Sequence, residues 1–321
     1  MSAESHLQRE IHQVGESAAG VFFLVLSYEL GDSASAVGSL FRLAGEGGTA
    51  ESILSTNDAL RQLWVSPAGH LWLGSAEGRV ATTAPIGWPA ASGDLDYDVA
   101  NGGPAWGIAA LPRDRVEGLL PNVTAMWGSG DDDVHVGTHG GHLYRWDGRS
   151  WTQTRQGDGS SGQTIRSLRG HSIDDVYAVG TQNLLLHFDG HQWRQLLVPG
   201  TPTDGESLGG IALLDDGEVV VCASGAQGRL LRGNATGFSE FGRYPMPLID
   251  VAVLGDRLLF AVWDGVAELS GQEVRIVKDN FKTSGAFEGR GRVFFTEPAA
   301  PRPQFIQHDP ASATPWTRLK F

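Results

Sequence analysis

The chain is short of cysteine, of basic residues and of long apolar runs, and each shortage excludes something. Cys222 is the single cysteine among 321 residues. No internal disulfide can form, so a disulfide-stapled secreted scaffold is excluded. Cys222 lies in the apolar run Val219-Val220-Val221-Cys222-Ala223, which reads as a strand with a buried, inert thiol. The longest apolar run, Val21 to Leu26, is too short to cross a bilayer. Glu4, Glu10 and Glu16 interrupt the first twenty residues without a basic-then-apolar order, so no signal peptide is expected and a cytoplasmic location is. On that expectation the sequons at Asn122 and Asn234 are chance. Lys and Arg number 24 against 37 Asp and Glu, a net charge of −13. A duplex nucleic-acid binder needs clustered cations to displace counterions, so that class is set aside along with membrane proteins. An acidic surface suits a basic protein partner, through steering and charge complementarity. The surplus is concentrated early. Residues 1–160 hold 19 acidic and 9 basic side chains, and residues 161–321 hold 18 and 15.

Enzyme motifs are also missing. The chain has no Gly-x-Ser-x-Gly elbow, no His-Glu-x-x-His, no Cys-x-x-Cys and no phosphate-cradling glycine loop. Enzymes can gather catalytic groups from distant parts of a chain, however, so local motifs do not decide the question alone.

What is present in excess is glycine, 44 residues and about twice the usual share, and tryptophan, 10 residues. Glycine in turns suits many short strands. One passage is written twice. The first copy reads Asp132-Asp133-Val134-His135-Val136-Gly137, Leu143-Tyr144-Arg145-Trp146-Asp147-Gly148 and Trp151. The second reads Asp174-Asp175-Val176-Tyr177-Ala178-Val179-Gly180, Leu185-Leu186-His187-Phe188-Asp189-Gly190 and Trp193. Val134 to Val176, Asp147 to Asp189 and Trp151 to Trp193 are each 42 residues apart. Such a period, made of short apolar strands and Gly/Asp turns, predicts an all-β fold, a β-propeller of four-stranded blades.

Second strands are expected to start near residues 21, 71, 134, 176, 219, 258 and 293, which gives seven blades; six or eight stay open because the first blade is weak. Residues 1–20 are either a short helix or a ring-closing strand. Residues 21–321 form one propeller domain. Residues 84–122, with Pro85, Pro89, Pro104, Pro112 and Pro121, are expected to be its one irregular insertion.

The wording Asp-Asp-Val-Tyr-Ala-Val-Gly … His-Phe-Asp-Gly-His-Gln-Trp over residues 174–193 resembles repeats of bacterial β-propeller proteins. It is similar to the loosely defined group of kelch-like and photosystem-assembly-factor-like propellers. The resemblance is carried by residues 124–197 and implies a fold, not an activity. The sialidase-type Asp-box is unmatched, since Ala68 stands where its Asp belongs, and WD40 hallmarks are absent.

Asp131, Asp132 and Asp133 look like a metal cluster until Asp174–Asp175 and Asp215–Asp216 are laid alongside. Repetition marks them as turn-stabilising residues. Asp147-Gly148 and Asp189-Gly190 read as hairpin turns. His135, His139 and His142 have a ligand-like spacing, but strand alternation sends His135 away from the other two, so exposed turn histidines are expected. Asp94, Asp96 and Asp98, followed by Asn101 and Gly102-Gly103, have no counterpart in the repeat. They resemble the start of a calcium loop, yet Val99 and Ala105 stand where its Gly and Glu belong. No cofactor is therefore expected, with Ca²⁺ at these three carboxylates the one candidate.

The expected function is non-enzymatic: a protein-binding propeller that captures a basic partner, for instance an intracellular inhibitor of the immunity-protein type. Asp94, Asp96 and Asp98, with Trp88 and Trp106 held near the surface by the insertion, are the expected contact residues. The alternative is a hydrolase, lyase or sugar binder with its site in the central channel, where Trp72, Trp127 and Trp263 could stack on sugars. Carboxylates and histidines converging on the axis from three or more blades would favour the alternative. A lining of Val, Ala and Gly would favour the first reading.

Overall fold

The computed structural model describes residues 7–29, 32–43, 49–89, 97–100, 103–113, 120–158, 162–298 and 302–321, with the backbone alone for 32–35. Every regular element among them is a strand, 29 in all. Blade one holds β1 (Leu7–Ser17), β2 (Gly20–Glu29), β3 (Asp32–Leu43) and β4 (Ala50–Thr56). Blade two begins with β5 (Leu60–Val65), β6 (Leu71–Ser75) and β7 (Arg79–Thr82). The chain then departs to add β8 (Tyr97–Val99) to the outer edge of β4, and returns to complete blade two with β9 (Gly107–Ala110). Blade three is β10 (Val123–Gly130), β11 (Asp133–Thr138), β12 (Leu143–Trp146) and β13 (Trp151–Arg155). Blade four is β14 (Ile165–Ser172), β15 (Asp175–Gly180), β16 (Leu184–Phe188) and β17 (Trp193–Gln195). Blade five is β18 (Ser207–Leu213), β19 (Val219–Ser224), β20 (Gly228–Asn234) and β21 (Gly237–Tyr244). Blade six is β22 (Leu248–Leu254), β23 (Arg257–Val262), β24 (Gly265–Ser270) and β25 (Glu273–Asp279). Blade seven is β26 (Gly285–Glu288), β27 (Val293–Thr296), β28 (Gln304–His308) and β29 (Trp316–Lys320).

The fold is therefore a seven-bladed β-propeller of antiparallel blades. Second strands start at Gly20, Leu71, Asp133, Asp175, Val219, Arg257 and Val293, within a residue of every predicted position. They are apolar on both sides because each blade is covered by a neighbour on both faces; β6 and β11 are buried at every residue, and β15 at all but its first. Of the two alternatives for the first residues, 7–17 are not a helix but a strand, the innermost of blade one, packed beside β26 of blade seven. The stretch 84–122 is not one irregular insertion, since it supplies β8 to blade one and β9 to blade two.

Four antiparallel strands return the chain to the face from which a blade started. All inner strands (β1, β5, β10, β14, β18, β22 and β26) therefore begin at one face, termed upper, and pack side by side around the axis. Side chains stitch this inner ring across blades. Gln62 Nε2 donates to the Thr124 carbonyl at 2.7 Å, and Thr124 Oγ1 donates to the Ile165 carbonyl at 2.6 Å. Asp250 Oδ2 accepts from Ala286 N at 3.0 Å, and Glu288 Oε1 from Val253 N at 2.9 Å. Between blades five and six the backbones touch instead. A Cβ at Gly209 would lie 2.1 Å from the Ile249 carbonyl, so only glycine fits there.

Among the described residues each blade is continuous in sequence apart from the detour through β8, and no terminal strand is exchanged to lock the ring. Closure rests on side chains between blades seven and one. Phe23 of β2 is fully buried, stacked on Phe41 (5.5 Å) and on the C-terminal Phe321 (4.4 Å), and it meets Phe305 of β28 at 5.6 Å. At the lower end Glu16 of β1 pairs with Arg292 and accepts the Arg290 N–H at 2.8 Å. We predict that Phe23→Ala costs about 3–5 kcal/mol in guanidinium unfolding, the usual toll of emptying a buried aromatic site. A loss under about 1 kcal/mol would mean that the seam does not depend on this ring.

Candidate functional site

The residues expected to make the partner contact do not form one patch. Asp94 and Asp96 lie outside the described residues, while Asp98 is exposed on β8, on the rim of blade one. Trp106 is not near the surface. It is 3% exposed, in the core shared by blades one and two with Tyr97, Leu54 and Leu73. Trp88 is half-buried, because its ring meets Trp72 (5.5 Å) and Trp146 (5.0 Å) edge-on and leans on Trp151 (6.2 Å). Both tryptophans fill the joints that the detour creates. Of the candidate sugar platforms, Trp72 is fully buried. Trp127 lines the channel, and Trp263 stands exposed on an upper turn with the Lys282 ammonium 5.5 Å from its ring.

The aspartates and histidines of the repeat hold the blades together. Asp131 joins blade three to blade two. Its Oδ1 accepts from Trp72 Nε1 at 2.8 Å, and its Oδ2 lies 2.6 Å from His70 Nδ1. Asp133 is buried beneath Arg145 (2.7 Å) and Ser129 (2.7 Å). Burial would raise its pKa, but His135, Ser129 and Arg145 outweigh this and hold it at about 2. Asp147 Oδ1 accepts the Arg149 and Ser150 N–H groups, and Asp189 Oδ1 those of His191 and Gln192. Gly148 and Gly190 supply the positive φ (83° and 87°) these hairpins require. The three histidines do not converge, and only His139 is exposed. His135 is sealed between Trp127, Phe188 and Trp193, His139 faces Thr164 Oγ1 at 2.8 Å, and His142 Nδ1 accepts from Gly157 N at 3.0 Å. Among the described residues no cluster of three or more His, Cys, Asp or Glu could hold a metal. Cys222 is fully buried, which pushes its thiol pKa up and leaves it inert.

Two regions remain in which side chains exceed structural need. The first is the central channel, a cavity of ≈ 370 Å³ bordered by all seven inner strands. It is not a lining of Val, Ala and Gly. Glu16, Asp250 and Glu288 enter it from blades one, six and seven, and Arg166 and Arg169 from blade four. The three carboxylates already accept from Arg292 or from backbone N–H groups, and no histidine lines the cavity. Burial raises the Asp250 pKa to about 6, against the pull of the Ala286 N–H and of Arg169. The arginines escaped the motif search, although the repeat marks them. Shifted by one 42-residue period, Arg166 and Arg169 fall on Thr124 and Trp127.

The second region is the lower face, where the inner-pair and outer-pair turns of each blade emerge. Exposed there are Asp132, Asp147, Asp174, Asp215, Asp216 and Asp256, set against exposed Arg149 and Arg290. These carboxylates crown the turns of four consecutive blades, three to six.

No protein-family model matches the chain, and no curated protein matches it in sequence. Solved structures do. The WD40 propeller domain of Doa1 is 11% identical with a TM-score of 0.59, covering 91% of this chain and 93% of that one. YCF48 bound to a D1 peptide is 12% identical with a TM-score of 0.55, covering 82% and 81%. The extracellular domain of BT4673 from B. thetaiotaomicron is 12% identical with a TM-score of 0.56. That match covers all of this chain, which spans only 46% of the other. At these identities the likeness is one of fold.

The Asp250 shift predicts a pH dependence. Its folded pKa of about 6 lies above the unfolded carboxylate value of about 3.9. Between these values the folded chain binds the extra proton, so this contribution to stability falls as pH rises through the window and is level above it. His12, lowered to about 4 mainly by burial, acts with the opposite sign over much of that range. The difference between wild type and Asp250→Asn isolates the carboxyl: unfolding free energies at intervals from pH 4 to 7 should show wild type losing ground to the variant. Parallel curves would refute the assignment.

Proposed function

We propose that this propeller is a non-enzymatic binding protein whose lower face docks a basic protein partner. The observation that carries the reading is the crown of exposed aspartates on the turns of blades three to six. Asp147 and Asp216 each use one oxygen on their own turn, through bonds to Ser150 N and Glu218 N, and remain exposed. Exposed like charges held on rigid turns raise the local potential and steer a cationic partner at little ordering cost. The upper face is mixed in sign, with Glu77, Asp204 and Asp264 beside Lys282 and Arg302, and gives no such field.

Asp98, on the rim of blade one, is a further exposed carboxylate apart from this crown. Two further facts support the reading. Propellers are commonly used to bind proteins, and one structure of similar fold is a complex with a peptide. Among the described residues Asp131 and Asp250 are occupied in joints between blades, and Asp133 is paired with Arg145 inside blade three. An inhibitor that neutralises a basic protein, of the immunity type, is the concrete form proposed.

The test is capture by tagged protein from its host, washed at low and high salt, with Asp174→Lys/Asp215→Lys/Asp256→Lys as comparison. A basic partner should be retained at low salt and released at high salt, as screening predicts. The triple variant should lower its capture by about tenfold or more while unfolding at the same denaturant concentration. Undiminished capture by the variant would remove the lower face from the account.

A further inference from the structure

We infer that the central channel is a second, separate binding site, for a small organic anion (a carboxylate or phosphate ester) held by Arg166 and Arg169. Both arginines belong to one inner strand, β14, and both border the ≈ 370 Å³ cavity on the axis. That volume falls in the range of small-ligand sites. Arg166 is exposed, and Arg169 is half-buried with one donor on its own strand, Nη1 to the Leu168 carbonyl at 3.0 Å. Among the described residues neither has a carboxylate within ion-pair distance. In contrast, Arg79, Arg145, Arg229, Arg257 and Arg292 are each paired.

The carboxylates across the channel are bonded elsewhere, and Asp250 only feels the charge of Arg169. Glu16 belongs to Arg292, Asp250 to two backbone N–H groups, and Glu288 to Val253 N. Two cations on one wall of a narrow cavity repel each other, and low-dielectric walls concentrate their field. An entering oxyanion would relieve that repulsion and meet planar, multi-donor guanidinium groups suited to it. A third cation, Arg61, lies nearby, since burial and the charges of both Arg61 and Arg166 hold neighbouring His139 below the ordinary histidine range and so uncharged near neutral pH. Half-buried Trp64 and Trp127 border the same cavity, with their rings packed on Trp72 and His135 respectively. The channel opens on the axis, and the inference does not depend on what docks at the lower turns.

The experiment is calorimetric titration of the full chain with citrate and with inorganic phosphate, and with glucose as neutral control. Citrate should saturate a single site in the millimolar range or tighter, phosphate should compete for it, and glucose should give no heat of binding. Arg166→Gln/Arg169→Gln should weaken citrate by about tenfold or more. Arg149→Gln, at an exposed lower turn, should leave the affinity unchanged. The single variant Arg166→Gln removes an exposed side chain that has no ion pair among the described residues, so it keeps the test valid should the double variant fail to fold. It should weaken citrate by several-fold. No saturation by citrate or phosphate up to about 10 mM, or equal affinity in the channel variants and Arg149→Gln, would overturn the assignment.

Discussion

A ring of blades is only as sound as its last joint, and here that joint is made of side chains. Blade seven uses its own four strands, and so does blade one before β8 is added. What holds them is Phe23 packed among Phe41, Phe305 and Phe321, with Glu16 and Arg292 paired below. Burying aromatic area is favourable and carries little geometric precision, whereas a buried ion pair fixes register at modest net gain. Together they set the position of β1 against β26. The channel and the continuous lower face exist only when that position is held.

The same economy runs through the other joints. Asp131 holds the indole of Trp72 and faces His70 in the neighbouring blade. Arg229 of blade five is 1% exposed, paired with Glu206 and anchored on the Pro199 carbonyl. The detour through β8 and β9 adds Tyr97 and Trp106 to the core shared by blades one and two. A buried charge needs compensation, and each of these has it. Against that pattern, the arginines of the channel and the aspartates of the lower turns stand out as charges the fold itself does not use.

Much of the architecture was legible because a propeller repeats its instructions. Strand starts followed from apolar runs between Gly/Asp turns, and hairpins such as Asp147-Gly148 carried their own chemistry. Residues 84–122 were misread because their strands are three and four residues long and separated by prolines; local pattern gives no hint that such a strand pairs with blade one. Trp106 was misplaced for the same reason. A tryptophan inside an apparent loop reads as exposed, but short strands carried it into the core. His142 defied the turn rule, since its ring folds inward to accept the Gly157 N–H. The channel arginines were hidden differently. Inner strands face the core on one side and the axis on the other, so a polar residue there looks like ordinary alternation. Only the comparison of blade four with blade three distinguishes Arg166 and Arg169 from Thr124 and Trp127.

The measurement closest to the centre of this account is native-state hydrogen exchange, read by mass spectrometry across a series of denaturant concentrations. If the aromatic seam closes the ring, peptides from β1 and β26 will share the protection of β11 and β15 and lose it in the same cooperative step. If β1 and β26 exchange early while β11 and β15 stay protected, the ring opens at this seam in the native state. The channel and the lower face would then not be the rigid surfaces described.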